Sequence, residues 1–174
     1  MHASHIKSSI ENVVEYLRKN PSAGRCKDST AVAVLEEGLR CRAEGPNGAV
    51  VITDMPAAIG GGGSAPGPGW YLRAALATCD ATMIAMRCAM EGIALRKLEV
   101  TVDSDSDDRG LVGADETTPG GPLIVRVHIR ALSDVSADQF RQIVDWVDRH
   151  SPVGDAIRRA IPMSISIETP SETR

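Results

Sequence analysis

The sequence is poor in aromatic residues. One Phe, two Trp and two Tyr stand among 174 residues, so a core must be built from Ala, Val, Ile, Leu and Met. Positive charge is not in excess either. The 19 Lys and Arg against 23 Asp and Glu leave a net charge of -4, which argues against a basic surface for nucleic acid or an anionic membrane. No apolar run has the length of a membrane span, and Met1-His-Ala-Ser-His-Ile-Lys7 offers no signal-peptide core. The four cysteines, Cys26, Cys41, Cys79 and Cys88, include no Cys-x-x-Cys pair. Free thiols in a reducing cytoplasm are the expectation. Gly-x-Ser-x-Gly, a dinucleotide fingerprint and the Gly-Lys-Ser/Thr of a phosphate loop are all missing. His2, His5, His128 and His150 stand singly, without metal-ligand spacing. No metal and no cofactor is therefore expected. A chain of this length is most simply one domain, here 1–174.

What is present is organised around 67–92. Gly67-Pro-Gly opens this stretch and Gly92 closes it, the punctuation of a long helix. Between them stand mainly Ala, Leu, Met, Ile and Cys. Arg73, Asp80, Arg87 and Glu91 fall at intervals of seven, seven and four, and so share one narrow stripe. The other faces are apolar, as in a helix covered on most sides. Cys79 lies in the middle. A cysteine in an apolar helix is most often packing, because a buried thiol is inert. That reading serves Cys26, Cys41 and Cys88.

Around this helix the chain alternates element types. Residues 8–19 place Ile10, Val13, Val14 and Leu17 on one helical face, and Asn20-Pro21 ends it. Strands are expected near 30–36, 39–44 and 49–53, with Gly45-Pro-Asn-Gly48 turning between the last two. Residues 54–69 are a Gly- and Pro-rich loop, flexible or closely packed. Beyond the central helix come a strand at 98–103, a long acidic arm at 104–121 and a strand at 123–131. In that strand Val125, Val127 and Ile129 share the face expected to be buried. The arm's Asp103, Asp105, Asp107 and Asp108 lack the pattern of a calcium loop. Ser136-Ala-Asp-Gln139 reads as a capping box for a helix to His150. Ser151-Pro152 starts a short helix with Ile157, Ala160 and Ile161 inward. A final strand is expected at 163–168. Strand groups in meanders, separated by helices, make the class α+β.

The run from the glycine-rich loop through Gly67-Pro-Gly-Trp-Tyr-Leu-Arg-Ala-Ala-Leu-Ala-Thr-Cys79, followed by the arm and by His150-Ser151-Pro152, resembles the OsmC/Ohr family of osmotically inducible and organic hydroperoxide resistance proteins. The likeness covers roughly 30–168, leaving 1–29 as an N-terminal helical extension and 169–174 as a tail. It implies antiparallel sheets wrapped around central helices in an intertwined homodimer. It also implies a reactive cysteine at Cys79, an activating arginine from the N-terminal strands (Arg40 or Arg42) and a second cysteine where this chain has Ser151. The family's orienting loop glutamate would fall at Gly69 or its neighbours Pro68, Trp70 and Tyr71, none of them acidic. Serine forms no disulfide. Cys88 is nine residues beyond Cys79, about 13.5 Å along a helix rising about 1.5 Å per residue. A disulfide requires Cα atoms within about 7 Å, so one straight helix excludes that pair; pairing across a dimer or with Cys41 stays open. The resemblance thus implies a one-cysteine version of the chemistry. Its partners would be an organic hydroperoxide and an external thiol reductant. The alternative is a non-peroxidatic domain that binds a small apolar ligand in a pocket lined by Trp70, Met83 and Met86. There Ser151 would hydrogen-bond to the thiol or the ligand. A merely packed Cys79 is the third reading.

Overall fold

The computed structural model describes residues 3–169. His2, and the part of the polar tail from 170 onward, lie outside them. The chain opens with α1 (Ala3–Lys19), which starts several residues before the expected boundary. Ile6, Ile10, Val14 and Leu17 are its half-buried stripe, turned to the central helix, whereas Val13 stays exposed. Three antiparallel strands follow: β1 (Val32–Glu37), β2 (Arg40–Glu44) and β3 (Val50–Thr53). The Gly45–Gly48 turn joins β2 to β3, and Asn47 adopts a φ of 56°, a left-handed conformation that Asn tolerates. Pairing of Leu35 with Cys41, of Ala33 with Ala43, and of Ala43 with Val51 puts all five on one face. Arg40 and Arg42 alternate to the other side.

The central helix, α2 (Pro68–Glu91), has the expected ends. Gly67 precedes it, Pro68 occupies its first turn, and Gly92 closes it at a φ of 71°. Its buried stripe is Leu76, Asp80, Ile84 and Cys88, residues four apart and therefore stacked on one face. One member of the charged stripe read from the sequence thus lies on the most buried face. Arg73 donates to Ser104 Oγ at 3.1 Å, and Arg87 pairs with Glu91 while lying 4.9 Å from the Trp146 ring centre.

A two-stranded ribbon packs on α2. Strands β4 (Leu95–Asp105) and β5 (Ile124–Ser133) pair from Leu95–Ser133 to Asp105–Ile124. Val125 and Ile129 are half-buried, but Val127 remains exposed. The arm between the strands, expected as one long acidic connection, contains a short helix, α3 (Asp108–Leu111). Its signal was local: Asp107 caps it, accepting from the Arg109 N–H at 3.0 Å. The acidic cluster is largely paired, Asp103 and Asp105 with Arg126 and Asp107 with Arg109.

Helix α4 (Ala137–His150) carries the full Ser136/Gln139 capping box, and α5 (Pro152–Arg158) begins at Ser151. Ile143 and Val147 of α4 complete the core with Ile84 and Cys88. Helix α5 ends at Arg158, so Ala160 and Ile161 form no inner face, and Ile161 is exposed. The expected strand at 163–168 does not form. Met163 is 85% exposed and Ile165 and Ile167 project equally far into solvent. Alternation alone does not make a strand. Its backbone groups need a neighbouring edge, and among the described residues none is paired with this segment.

Candidate functional site

The turn between α4 and α5 lies against the middle of α2. Ser151 closes α4, since its N–H donates to Val147 O at 2.7 Å. It also opens α5, its Oγ accepting from the Gly154 N–H at 3.1 Å. The second role suits a small hydroxyl residue in extended conformation at a helix N-cap. The side chain is 1% exposed, and its Oγ lies 3.4 Å from Cys79 Sγ. The fold therefore joins two residues 72 positions apart by a direct hydrogen bond.

Cys79 is half-buried and opens onto a hollow of about 420 Å³ lined by Ala75, Thr78, Thr82, Met83 and Pro152. The walls are mostly apolar. Of the three expected lining residues only Met83 is there. Trp70 borders a separate hollow with Arg73, Ala77 and Val100–Val102, and Met86 borders neither.

Arg40 and Arg42 are engaged elsewhere within the chain. Arg40 donates to Glu36 at 3.0 Å and to Ser64 Oγ at 2.7 Å, and Arg42 donates to Glu44 at 3.0 Å. Among the described residues, the hydrogen bond recorded at Cys79 Sγ is the one to Ser151. Cys88 is equally clear. It is 1% exposed in the core, and burial first, then the charges of Glu91 and Asp134, push its thiol pKa up. A protonated thiol locked among Ile84, Ile143 and Val147 is not available to resolve an oxidised Cys79.

Sequence reasoning missed the residue that organises the glycine loop. Asp54 is buried just beyond β3. It accepts from Ser64 N–H and Oγ at 2.9 and 2.8 Å, from Met55 N–H at 2.7 Å and from Gly62 N–H at 3.3 Å. These donors, Ser64 first, hold its carboxyl pKa down at about 2. The loop is accordingly packed. A Cβ on Gly61 would stand 1.9 Å from Met55 O, so glycine is required there by space. Ser64 in turn receives Arg40, which ties β2 to the loop that leads into α2. The available signal was an Asp followed within ten residues by Gly-Gly-Gly-Gly-Ser, a carboxylate with consecutive backbone donors nearby.

With this geometry in view, the comparisons are direct. The model of the family described as "OsmC-like protein" matches residues 61–166. The chain belongs to the OsmC family. No curated protein matches its sequence. The crystal structure of an OsmC-like protein from Mycoplasma pneumoniae superposes with a TM-score of 0.64 at 19% identity, over 77% of this chain and 89% of that one. An osmotic stress and detoxification response protein from Psychrobacter arcticus gives 0.61 at 22% identity, over 76% and 90%. An organic hydroperoxide resistance protein OsmC from Legionella pneumophila gives 0.60 at 20%, over 77% and 91%. At such identities the likeness is one of fold. This OsmC-like chain is α+β with antiparallel sheets, and among its described residues no helix is long and apolar enough to cross a membrane.

Proposed function

We propose that this OsmC-like protein, acting as a single-domain homodimer in the cytoplasm, reduces organic hydroperoxides through one reactive cysteine, Cys79. The supporting observation is the 3.4 Å contact between Cys79 Sγ and the buried Ser151 Oγ at the edge of an apolar hollow. The hydroperoxide resistance named for the Legionella relative points to the same substrate class.

In the proposed reaction the Cys79 thiolate attacks the outer peroxide oxygen. An S–O bond forms and the O–O bond breaks. The electron pair leaves on the alkoxide, which takes a proton to become the alcohol. Cys79 is oxidised by two electrons to the sulfenic acid. An external thiol then forms an S–S bond with Cys79 as its hydroxyl leaves as water. A second thiol displaces Cys79 and departs as the external disulfide. Ser151 serves as a hydrogen-bond donor to the thiolate. The cation that stabilises the thiolate is Arg40 or Arg42 of the N-terminal strands. The largely exposed apolar face of that sheet supports a homodimer, because a three-stranded sheet gains its stability from a buried face; Arg40 and Arg42 stand on the opposite face.

Mass spectrometry of reduced protein treated with cumene hydroperoxide tests this reading. Sulfenic acid or a mixed disulfide is expected at Cys79 and is absent in Cys79→Ala. Reaction no faster than that of a free thiol overturns it. Ser151→Cys sharpens the test: peroxide should now give an intrachain disulfide with Cys79. The apolar hollow also supports the second reading, binding of a small apolar ligand without turnover. That reading requires a rise in melting temperature with fatty acids or aryl compounds, in Cys79→Ala as well as in the native chain.

A further inference from the structure

The hollow bordered by Trp70 lies in the groove between α2 and β4. Its volume is about 430 Å³, within the range of about 300–1,000 Å³ usual for small-ligand sites. Trp70, Arg73 and Ala77 come from the helix, and Val100 and Val102 from the strand. Among the described residues its wall carries one cation and no carboxylate. Glu99 and Asp103 alternate to the other side of β4 from Val100 and Val102, and they are paired with Arg130 and Arg126.

Arg73 is the decisive residue. Among the described residues, Arg18, Arg25, Arg73, Arg96 and Arg149 are the arginines without a carboxylate partner, and all but Arg73 are exposed, where water satisfies them. Arg73 is half-buried, and its one hydrogen bond runs from Nη1 to Ser104 Oγ at 3.1 Å. A guanidinium carries five N–H donors in a fixed fork, so most of them stay unused. Arg73 also borders a hollow under the arm, but Asp107 there is paired with Arg109, and Asp108 is exposed and forms no ion pair with Arg73. Beside Arg73 stands Trp70, 49% exposed. Its ring packs T-shaped on Tyr71, with centroids 4.9 Å apart, and the Tyr71 hydroxyl donates to Ile52 O at 2.8 Å. The indole is thus supported from one side and open on another.

We propose that this hollow is a binding site for a small aryl carboxylate. The carboxylate accepts from the free N–H groups of Arg73, the geometry that a guanidinium fork fits. The aromatic ring lies against the Trp70 indole and the Val100–Val102 wall. An organic cation would be repelled by Arg73. A neutral arene would leave the guanidinium donors unused, and a short alkyl acid would leave Trp70 uncovered. The site uses neither Cys79 nor Met83, and it does not depend on the peroxidase reading.

Titration calorimetry and the indole N–H resonances of the full-length protein at neutral pH decide the matter. Sodium 3-phenylpropionate is the probe, with 3-phenyl-1-propanol, phenethylammonium chloride and sodium propionate as controls. Saturable binding of one 3-phenylpropionate per chain is expected. Each control should be at least about tenfold weaker, as loss of a charge-assisted bond or of a stacked ring requires. The Trp70 resonance, identified by its loss in Trp70→Phe, should shift with the same Kd, and that of Trp146 should not. Arg73→Gln and Trp70→Ala should each weaken binding by at least about tenfold. Cys79→Ser should bind like the native chain, which separates this site from both readings of the Cys79 hollow. The proposal is overturned by an absence of any saturable signal up to about 10 mM, where even a weak site of millimolar Kd would register. That outcome also covers a hollow closed by a second subunit. Equal affinity for acid and alcohol, or undiminished binding in Arg73→Gln or Trp70→Ala, overturns it too. If Arg73→Gln does not fold, the ligand series and the exposed Trp70 position remain decisive.

Discussion

Helix α2 and the β1–β3 sheet are both regular, yet they stand in opposite relations to solvent. Along α2, Ile84 and Cys88 lose essentially all exposure and pack on Ile143 and Val147. Along β1 every residue is exposed, and of the face formed by Ala33, Leu35, Cys41, Ala43 and Val51 only Cys41 and Ala43 are half-buried. The exposed Met163, Ile165 and Ile167 belong with the sheet in this respect. Hydrogen bonding has been satisfied in both regions, but burial in only one. Backbone pairing fixes where a strand lies, whereas apolar contact decides whether it is stable. Contiguous exposed apolar surface of this kind marks an interaction face. The contrast makes the α2 half the chain's own core and leaves the sheet as the face that the proposed homodimer would cover.

The largest effect should come from the buried side. Ile84→Ala empties a site with 0% exposure, and the loss should be about 3 kcal/mol, read from urea unfolding at any protein concentration. A loss below about 1 kcal/mol would break the claim that α2 is the folding core. Next is the loop that links the two regions. Gly61→Ala drives a Cβ into Met55 O and should cost about 2 kcal/mol. An unchanged melting temperature would show that the loop yields freely. Leu35→Ala tests the sheet. If a second subunit covers this face, the mutation should lower stability by about 1–2 kcal/mol in concentrated protein. It should also shift light scattering toward monomer on dilution. Wild-type association constants in Leu35→Ala would remove the sheet from the interface.

The smallest effect is confined to the glycine loop and depends on pH. Asp54 has a folded pKa of about 2 against an ordinary 3.8. A depressed carboxylate pKa contributes stability above the unfolded value, and that contribution is lost as pH falls through the folded one. Protection of the Met55, Gly62 and Ser64 amides from hydrogen exchange, taken relative to the intrinsic rate at each pH, should therefore fall between about pH 4 and pH 2, while Ile84 and Val147 keep theirs. Simultaneous loss in both regions would show that the loop and the core open together. In Asp54→Asn the pH dependence of the loop should vanish.

Much of the local structure was legible. The Ser136/Gln139 box, the Ser151-Pro152 start, Gly67-Pro68 and Gly92 mark helix ends through hydrogen bonds spanning a few residues. The Asn47-Gly48 turn and the alternation in β2 are likewise contained in adjacent positions. Cys79 and Ser151 were legible as a pair only through the family's pattern, because nothing within either segment refers to the other. The segment at 163–168 shows the opposite failure. Its alternation is as regular as that of β2, and it stays unpaired because a strand is a property of two segments.

The sequence by itself determined the class of each element from α1 to α5, apart from the short α3, and placed its one candidate nucleophile in the middle of α2. Those are short-range matters of periodicity, capping and turn chemistry. Tertiary structure alone decided which polar groups left water. Asp54 went in with donors from four backbone and side-chain groups, Ser151 with Cys79 and Gly154, and Asp80 with none for its Oδ1. The physical reason is that desolvation depends on what the rest of the chain brings to a residue. Cys79 and Asp80 are neighbours on one helix, and the fold turns one toward a serine and an apolar hollow and the other onto the helix's most buried face.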